Sequence, residues 1–555
     1  MLMYTGKHPR NVYGRIHIAE DCWQKFCKES AFALYTPFIV SLASGNLKVE
    51  SFRKFVAQDV CLLKIFANAF ELAETNAQDD YAKHQINELR KTAINLHDSF
   101  VQEWGSYFVK DTTLNPATSK CQDFLLATAS GKIDGVTAPI ERTKLPAYTL
   151  GAIASFMKLY AYIGKELKGL TDHNCYKKWI ENYSSDRFQD LSFQTEYLLN
   201  RLSDSFTAEE LDIIETLYSQ GFKHEIDFFL AQPLIQKAVV PLSGEHNLEE
   251  RQLMIFSEFN FSFASVDSYV FFAEMAIAKE SDKVRKEYTY TYPYEPTLKT
   301  ICWREAHKNY INAYVKCIED ILATEKAENL NHKGLRKALE KVSYIEKEAN
   351  LSVIKFGGLK GLKLKDIILA GERSILHDVC FEFFQTVKKK ESLNADVHVL
   401  SYCWCGDLIR STLSAGGLNG IKVHANELEF EESVCTGQIL RKVESPIDKV
   451  EAFAKILESC GKGNDKKELL TVYIGDSFKD LLCLLEADIG IMVYPSPNLI
   501  DLAEHFGIRL IPLFHGVVDK QKKSVEGAET WKGGLSGILY TAISWVEIHA
   551  FLIGS

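Results

Sequence analysis

The chain has 555 residues, and its 64 basic and 74 acidic side chains give a formal net charge of −10. This length predicts about two to four domains, and hydrophobic and charged contents of 46% and 25% are typical of globular proteins. The acidic balance, without a concentrated run of Lys or Arg, argues against a nucleic-acid binder or a protein that binds anionic membranes. The composition indicates a soluble, multidomain globular protein.

Cysteine usage and the first residues bear on the compartment. Thirteen cysteines, an odd number without a CxxC pair, indicate the reduced thiols of an intracellular protein. No apolar run reaches the about 18 residues that cross a bilayer. The first nineteen residues hold three bases and no acid, but they lack serine and an apolar stretch, so neither a transit nor a signal peptide is indicated. We expect a cytoplasmic protein.

The first part of the chain, residues 1–232, is predicted to be an all-helical domain. Apolar residues recur three and four positions apart, as in 52–63 and 150–163. Thr207 and Glu210 form a capping-box pattern that should open a last helix running to about Ala231. Residues 233–250 contain two prolines and a Ser-Gly pair without helical periodicity, which predicts a linker.

The remaining residues, 251–555, are predicted to form an α/β domain. Short apolar runs at 253–256, 397–400, 469–474 and 489–493 alternate with helical segments, which is typical of a parallel sheet. The stretch from about 268 to 390 is predominantly helical and too long for a simple crossover. It predicts a cap subdomain inserted after the first strand.

The strongest local motif follows the run 469–474. A Gly-Asp pair ends the predicted strand, and a second aspartate, Asp480, follows Asp476 four residues later at the start of a helix. Both carboxylates could face one point and bind a hard cation such as Mg²⁺. The alternative is a Gly-Asp turn in which Asp480 is a helix-capping or surface residue.

Two further residues could bind phosphate. Ser401 follows the run 397–400 and precedes a helix, where a hydroxyl can hydrogen-bond a phosphate oxygen. Lys449 could neutralise the same phosphate. Taken alone, the serine could equally be a helix cap and the lysine a solvated surface charge.

In this order, the cap insertion, the strand with Ser401, Lys449 and the strand with Asp476 and Asp480 resemble the haloacid dehalogenase (HAD) phosphatase superfamily. The resemblance implies a Rossmann-like fold and Mg²⁺-dependent hydrolysis of phosphate monoesters. Asp476 would be the late metal ligand with Asp480 in support, Ser401 would hold phosphate, and Lys449 would be the catalytic cation.

The first motif departs from that family. Glu258 and Asn260 stand where the family has two aspartates, the nucleophile and the general acid/base. Glu258 keeps the charge but adds a methylene, and Asn260 cannot transfer a proton. Both could still contribute to the metal site, Glu258 through its carboxylate and Asn260 through its backbone carbonyl. We predict that phosphate and Mg²⁺ bind but that turnover is reduced.

The helical part resembles the TenA/thiaminase II family, which has a heme-oxygenase-like fold. The resemblance is carried by short segments around Asp59, Tyr160, Tyr183 and Glu225. It implies that Asp59 grips an aminopyrimidine, that Tyr160 and Tyr183 line the pocket, and that Glu225 shuttles protons. The alternative is that these residues only form buried hydrogen bonds within the bundle. The family's nucleophilic cysteine falls on Phe156, which excludes covalent catalysis by that residue.

The order of the two resemblances is similar to that of the plant bifunctional thiamin-salvage proteins. It implies hydrolysis of thiamin monophosphate by the C-terminal domain and of aminopyrimidines by the N-terminal domain, with small molecules as partners, no nucleic acid and no membrane. It also implies a homo-oligomer formed through the helical domain. The rival hypothesis is a diverged, non-catalytic paralogue that binds thiamin-related ligands or a protein partner.

Overall fold

The computed structural model describes residues 17–104, 113–137, 139–172, 174–245, 251–259, 268–287, 298–374, 378–390, 393–460, 468–524, 531 and 536–554. The chain divides into two compact units. The first comprises Met1–Glu245, Val517–Ala528 and Ala550–Ser555, and the second comprises His246–Gly516 and Glu529–His549. The two C-terminal segments of the first unit were not expected, and the domain boundaries inferred from the sequence stay a prediction.

The N-terminal unit is built from helices. They are α1 (Ile18–Leu34), α2 (Pro37–Ala43), α3 (Val49–Asn76), α4 (Asp80–Trp104), α5 (Pro116–Ala129), α6 (Leu145–Lys168), α7 (Lys177–Ser184), α8 (Asp186–Leu202), α9 (Ala208–Leu230) and the short α10 (Leu242–Glu245). The capping box is confirmed: Thr207 Oγ1 accepts from the Glu210 backbone N–H at 3.3 Å, and Glu210 Oε2 accepts from the Thr207 N–H at 2.9 Å.

Helix α6 lies at the centre of this unit. It is buried along nearly its whole length and packs against α1, α3, α5, α7, α8 and α9, as expected for a helix that is apolar on most of its surface. At Gly164 it approaches α7 so closely that a Cβ atom would lie 2.7 Å from the carbonyl oxygen of Tyr183. This contact brings the side chains of Tyr160, one turn earlier, and Tyr183 together.

The C-terminal unit is organised around a seven-stranded parallel sheet. Its strands are β1 (Arg251–Ser257), β2 (Ala395–Leu400), β3 (Lys422–His424), β6 (Glu468–Gly475), β7 (Ile489–Val493), β8 (Arg509–Pro512) and β9 (Ile538–Ala542), in the order β3-β2-β1-β6-β7-β9-β8. An antiparallel hairpin, β4 (Glu427–Glu431) and β5 (Val434–Leu440), forms a separate sheet. The helices that follow the second strand are α16 (Gly406–Ala415), α17 (Pro446–Cys460), α18 (Leu481–Glu486), α19 (Pro497–His505), α20 (Leu513–Ser524) and α21 (Trp545–Leu552).

The four strands predicted from apolar runs, β1, β2, β6 and β7, are confirmed and lie side by side at the centre of the sheet. The cap insertion between β1 and β2 is also helical. It contains α11 (Ser268–Glu287), α12 (Leu298–Leu322), α13 (His332–Lys355), α14 (Leu364–Glu372) and α15 (Asp378–Lys389). Strands β3, β8 and β9 and the hairpin β4–β5 were not predicted. The edge strands β3 and β8 are short and partly polar, so they lack a continuous apolar run.

The composition also bears on membrane-spanning helices and on disulfides. No helix in the described ranges is long and apolar enough to cross a bilayer. The thirteen cysteines, all of which lie in the described ranges, form no disulfide.

Candidate functional sites

The N-terminal site is centred on the buried carboxylate of Asp59 in α3. Its Oδ1 accepts from the Tyr160 hydroxyl at 2.9 Å, and its Oδ2 accepts from the Tyr183 hydroxyl at 2.9 Å and from Trp179 Nε1 at 3.1 Å. Helices α3, α6 and α7 thus meet at one carboxylate. The structure therefore brings together three of the four residues that the sequence placed in this pocket.

Trp179 is the partner of Asp59 that sequence reasoning left without a role. Trp179 and Tyr183 lie four residues apart on α7, so both side chains project from the same face. That spacing of two aromatic hydrogen-bond donors was the available signal. It becomes informative only when the acceptor on α3 is known, because nothing local identifies Asp59 as the partner.

Burial controls the protonation of Asp59. Removal from water raises the pKa of its carboxyl to about 6, although the hydrogen bonds from Trp179, Tyr160 and Tyr183 act in the opposite direction. Desolvation and the negative charge of Asp59 likewise raise the pKa of the Tyr160 and Tyr183 hydroxyls well above the usual value. These two tyrosines are therefore neutral hydrogen-bond donors at physiological pH.

Glu225 on α9 is fully buried, and neither carboxyl oxygen has a hydrogen-bond partner in the part of the chain that the structure describes. Burial, with the charge of Asp59 second, raises its pKa well above the ordinary value. The hydroxyl of Tyr160 acts in the opposite direction, although its hydrogen bond goes to Asp59. A buried polar group without a partner is costly, so Glu225 offers a neutral carboxyl group to a ligand.

Phe156 is the residue that the sequence resemblance assigns to the position of the TenA family's nucleophile. Its ring is fully buried and lies 5.5 Å from the ring of Phe66 between centroids. It precedes Tyr160 by one turn of α6, so both rings lie on the same face of that helix. The site therefore has donors, acceptors and aromatic surface, but no thiol at this position.

The C-terminal site lies where parallel strands end. Ser257, the last residue of β1, pairs with Val399 in β2 and with Ile474 in β6. Glu258, Ser401 and Asp476 follow these three strands directly, so the shared register brings their backbones to one edge of the sheet. Asn260, predicted as a metal ligand and catalytic position, lies outside the described residues.

Lys449 on α17 joins two of the predicted acids. Its Nζ donates to Glu258 Oε2 and, at 2.6 Å, to Asp480 Oδ1. The lysine and Asp480 are fully buried, and Glu258 is nearly so. Asp480 also accepts from the Tyr473 hydroxyl at 3.1 Å and from Ser477 Oγ at 2.6 Å. The interpretations of Lys449 as a solvated charge and of Asp480 as a surface residue are therefore wrong.

The charges of this cluster stabilise one another. Burial opposes the ammonium form of Lys449, but the negative charges of Asp480 and Glu258 outweigh it and raise the pKa of the lysine. Burial likewise opposes the carboxylate form of Asp480, but the charge of Lys449 and three hydrogen bonds hold its pKa below the ordinary value. Lys449 and Asp480 therefore form a buried ion pair at neutral pH.

Glu258 is held at both oxygens. While Oε2 accepts from Lys449, Oε1 accepts from the backbone N–H of Phe259 at 2.8 Å. The added methylene of glutamate lets the carboxylate fold back onto the next residue of its own chain. In this arrangement the carboxylate occupies two donors, an ammonium and a backbone N–H, that could otherwise bind a phosphate oxygen.

Ser401 and Asp476 complete the predicted site. Ser401 is fully buried, and its Oγ accepts from the Cys403 N–H at 3.2 Å, as a hydroxyl does in a turn. Asp476 is partly exposed at the end of β6. At Gly475, a Cβ atom would lie 2.8 Å from the Cβ of Asp480, so glycine is needed for Asp480 to lie beneath the strand end.

The donor chemistry of this cluster suits Mg²⁺, although the described residues contain no group of three His, Cys, Asp or Glu side chains placed to hold a metal ion. Two of the predicted ligands, Glu258 and Asp480, are paired with the ammonium of Lys449, and a third, Asp476, directly follows β6. The surplus of negative charge and the oxygen donors match a hard divalent cation. The roles of Glu258, Asn260, Asp476 and Asp480 as metal ligands stay predictions.

The buried carboxyl of Asp59 should make the stability of the N-terminal unit pH-dependent. Its pKa of about 6 in the folded state exceeds the about 3.9 of an unfolded aspartate. The protonated form is thus favoured by folding; this stabilisation is complete below about pH 4 and is lost as the pH rises through 6. Relative to Asp59→Asn, the wild type should lose about 2 kcal/mol of unfolding free energy between pH 4 and pH 7.

Guanidinium unfolding of both proteins across that range measures the difference. Both proteins are compared in the Glu225→Gln background, because the charge of Asp59 raises the pKa of Glu225 and the titration of Glu225 would not cancel. A difference between the two proteins that does not change with pH would contradict the raised pKa of Asp59.

Known proteins are similar to this chain in separate parts of its sequence. Residues 30–234 match the model of the TENA/THI-4/PQQC family. An aminopyrimidine aminohydrolase of Halalkalibacterium halodurans is 24% identical over 200 residues, covering 35% of this chain and 85% of that protein. Among solved structures, a substrate-bound phosphoserine phosphatase is 17% identical and covers 45% of this chain and 90% of its own, with a TM-score of 0.28.

One relative covers nearly the whole chain. The mitochondrial bifunctional TH2 protein of Arabidopsis thaliana is 51% identical over 549 residues, which cover 96% of this chain and 88% of that protein. Its location overturns the expectation of a cytoplasmic protein. That expectation rested on the composition of nineteen residues, whereas an organelle address is read by receptors. The chain, with a helical unit followed by a parallel-sheet unit, therefore belongs to the family of bifunctional TH2 proteins.

Proposed function

We propose that this protein acts in thiamin salvage through two separate sites, an aminopyrimidine site in the N-terminal unit and a phosphate-monoester site in the C-terminal unit. Family membership and the similarity to aminopyrimidine aminohydrolases support the coarse assignment. The observation that carries the first site is the buried, unpartnered carboxyl of Glu225. For the second, it is Lys449 held between Glu258 and Asp480 at the strand ends.

In the N-terminal unit, Asp59 and Glu225 have complementary roles. Asp59 accepts one hydrogen bond at Oδ1 and two at Oδ2, so Oδ1 keeps acceptor capacity for an exocyclic amino group. The neutral carboxyl of Glu225 can donate to a ring nitrogen and take up a proton elsewhere in the same reaction. The aromatic rings of Tyr160 and Tyr183 offer surfaces for a planar pyrimidine.

Phe156 makes covalent catalysis at this position impossible, because a phenyl ring has no nucleophilic atom. Any hydrolysis would have to use water, which Glu225 could deprotonate only after its carboxyl group has donated its own proton to the ring nitrogen. The phenyl ring also fills space that a thiol would leave open, so we expect weak aminopyrimidine binding and a rate near background.

In the C-terminal unit, the proposed substrate is thiamin monophosphate. Hydrolysis would require the Glu258 carboxylate to attack phosphorus while the bond from phosphorus to the alcohol oxygen breaks, and the leaving alcohol would then need a proton. Asn260 cannot supply it, and Glu258 is held away from attack by Phe259 and Lys449. Ser401 and Lys449 would hold phosphate oxygens, and turnover would be reduced.

Mg²⁺ is the proposed cofactor, and its proposed ligands are Glu258, Asn260, Asp476 and Asp480. When bound, it would withdraw charge from the phosphate oxygens. The residues of the chain provide the remaining parts of the site: a buried cation, a hydroxyl and the carboxylate at the end of β1.

A second candidate function, ligand binding without turnover, is favoured by one specific observation. Both oxygens of Glu258 are already hydrogen-bonded within the protein, as would suit a structural carboxylate rather than a nucleophile. A non-catalytic paralogue would retain the pockets, bind thiamin-related compounds and release no phosphate.

The two hypotheses differ in the effect of restoring the first motif. Glu258→Asp with Asn260→Asp should raise Mg²⁺-dependent phosphate release from thiamin monophosphate at least about 10²-fold, because the nucleophile is repositioned and a general acid is regained. The measurement is steady-state phosphate release by the full chain. Asp476→Ala in the same background serves as the control and should abolish the gain.

A double variant as inactive as the wild type would show that the remainder of the site cannot support hydrolysis. A wild type as active as the double variant would show that Glu258 is a competent nucleophile.

The N-terminal site has its own test. Phe156→Cys should bind aminopyrimidine more tightly than the wild type, since removing an overpacked ring relieves about 1–3 kcal/mol, and it should gain hydrolysis that depends on Glu225. Calorimetry measures the affinity, and ammonia release measures the rate. Glu225→Gln in the Phe156→Cys background should lose the rate. Efficient wild-type hydrolysis that survives Glu225→Gln would disprove both roles.

A further inference from the structure

The cap helix α13 carries a row of polar side chains that contacts the segments of the C-terminal site. Ser343, Glu346, Lys347 and Asn350 are spaced three, four and seven residues apart, which places them on one face of the helix. Ser343 and Asn350 are buried. We call this row the polar face of α13.

The polar face binds the segment that leads into Lys449 at three points. Ser343 Oγ accepts from the Ile447 backbone N–H at 3.3 Å. Lys347 Nζ donates to Asp448 Oδ1 at 3.0 Å. Asn350 Nδ2 donates to Glu444 Oε2 at 3.5 Å. The contacted residues occupy the first turn of α17 and the residues before it, directly ahead of Lys449.

The same face also contacts the segment that carries Asp480 and the segment that carries Ser401. Glu346 Oε1 accepts from Lys479 Nζ at 3.1 Å, and Lys479 immediately precedes Asp480. Asn350 Oδ1 accepts from Trp404 Nε1 at 2.8 Å, and Trp404 lies three residues after Ser401. One helix face thus contacts the three segments that carry Ser401, Lys449 and Asp480.

Within the unit, Tyr402 links two of these segments directly. The Lys449 ammonium lies 4.0 Å from the centroid of its ring, and its hydroxyl donates to the Lys479 carbonyl at 3.2 Å. Glu346 is shared with α12, because it also accepts from the Tyr310 hydroxyl at 2.8 Å. The contacts therefore form a connected network rather than isolated surface pairs.

We propose that the polar face of α13 is the positioning element of the C-terminal site, which fixes Ser401, Lys449 and Asp480 relative to one another. The three groups come from three different loop-to-helix segments, and loops alone do not hold side chains to the precision that catalysis needs. This inference rests on the proposed phosphatase function. It makes Glu346 and Asn350 positioning residues, although neither is among the groups proposed to touch the substrate.

The test compares Glu346→Ala and Asn350→Ala with Glu348→Ala, which removes an exposed carboxylate from the same helix. In the Glu258→Asp/Asn260→Asp background, the first two changes should lower kcat for thiamin monophosphate at least about tenfold with KM nearly unchanged, because a positioning defect acts on the transition state. Glu348→Ala should leave both constants unchanged. A rise in KM with kcat unchanged would overturn the proposal. So would a loss of kcat in Glu348→Ala equal to that in the other two variants.

A second measurement does not depend on turnover. In the otherwise unmodified full chain, hydrogen exchange of the amides in 444–450 and 476–481 should become about fivefold faster in Glu346→Ala and Asn350→Ala than in Glu348→Ala. Unchanged exchange in both segments would overturn the proposal. Faster exchange without any phosphate release, even in the revertant background, would instead reject the phosphatase function and leave the positioning role standing. If Glu346→Ala does not fold, Glu346→Gln and Asn350→Ala serve for both measurements.

Discussion

The buried ammonium of Lys449 is the charge around which the C-terminal site is arranged. Two acidic side chains, Glu258 directly after β1 and Asp480 in the turn after β6, both accept from this ammonium, and a buried carboxylate that loses its counter-charge is costly. The lysine in turn could not stay protonated there without them. Because each charge depends on the others, the positions of β1, the turn after β6 and α17 are coupled.

In the N-terminal unit, the buried carboxyl group of Asp59 is hydrogen-bonded by neutral donors instead of being paired with a cation. Asp59 has three neutral donors and no cation among its hydrogen-bond partners in the described ranges, so its pKa rises to about 6. Glu225 has no partner there at all and is held as a neutral acid. One unit therefore keeps a fixed ion pair, whereas the other keeps a neutral carboxyl group, Glu225, and a carboxyl group that titrates at about pH 6, Asp59. Fixed charge would suit the proposed binding of a phosphate ester, and an uncharged carboxyl group would suit the proposed hydrogen bond to a heterocycle.

The sequence predicted the parts of the fold that local patterns encode. The central strands are continuous apolar runs, and Thr207 and Glu210 show the first turn of α9. The edge strand β3 has only three residues, Lys422–His424, and shows no such run. Lys449 and the acids around it were predicted from family motifs. The burial of Lys449 was not predicted, because burial depends on contacts between distant segments. The same holds for Trp179 and for the polar face of α13, whose spacing alone is indistinguishable from a solvated helix surface.

The central claim, that Lys449 is the buried counter-charge of Glu258 and Asp480, is tested most directly by Lys449→Met. Methionine keeps much of the side-chain volume but removes the charge, so two buried carboxylates lose their cation. Hydrogen exchange of the amides in β1 and β6 should show the C-terminal unit destabilised by about 3–5 kcal/mol. Lys455→Met changes an exposed lysine of the same helix and should alter stability by less than about 0.5 kcal/mol. Equal stabilities of the two variants would contradict the claim.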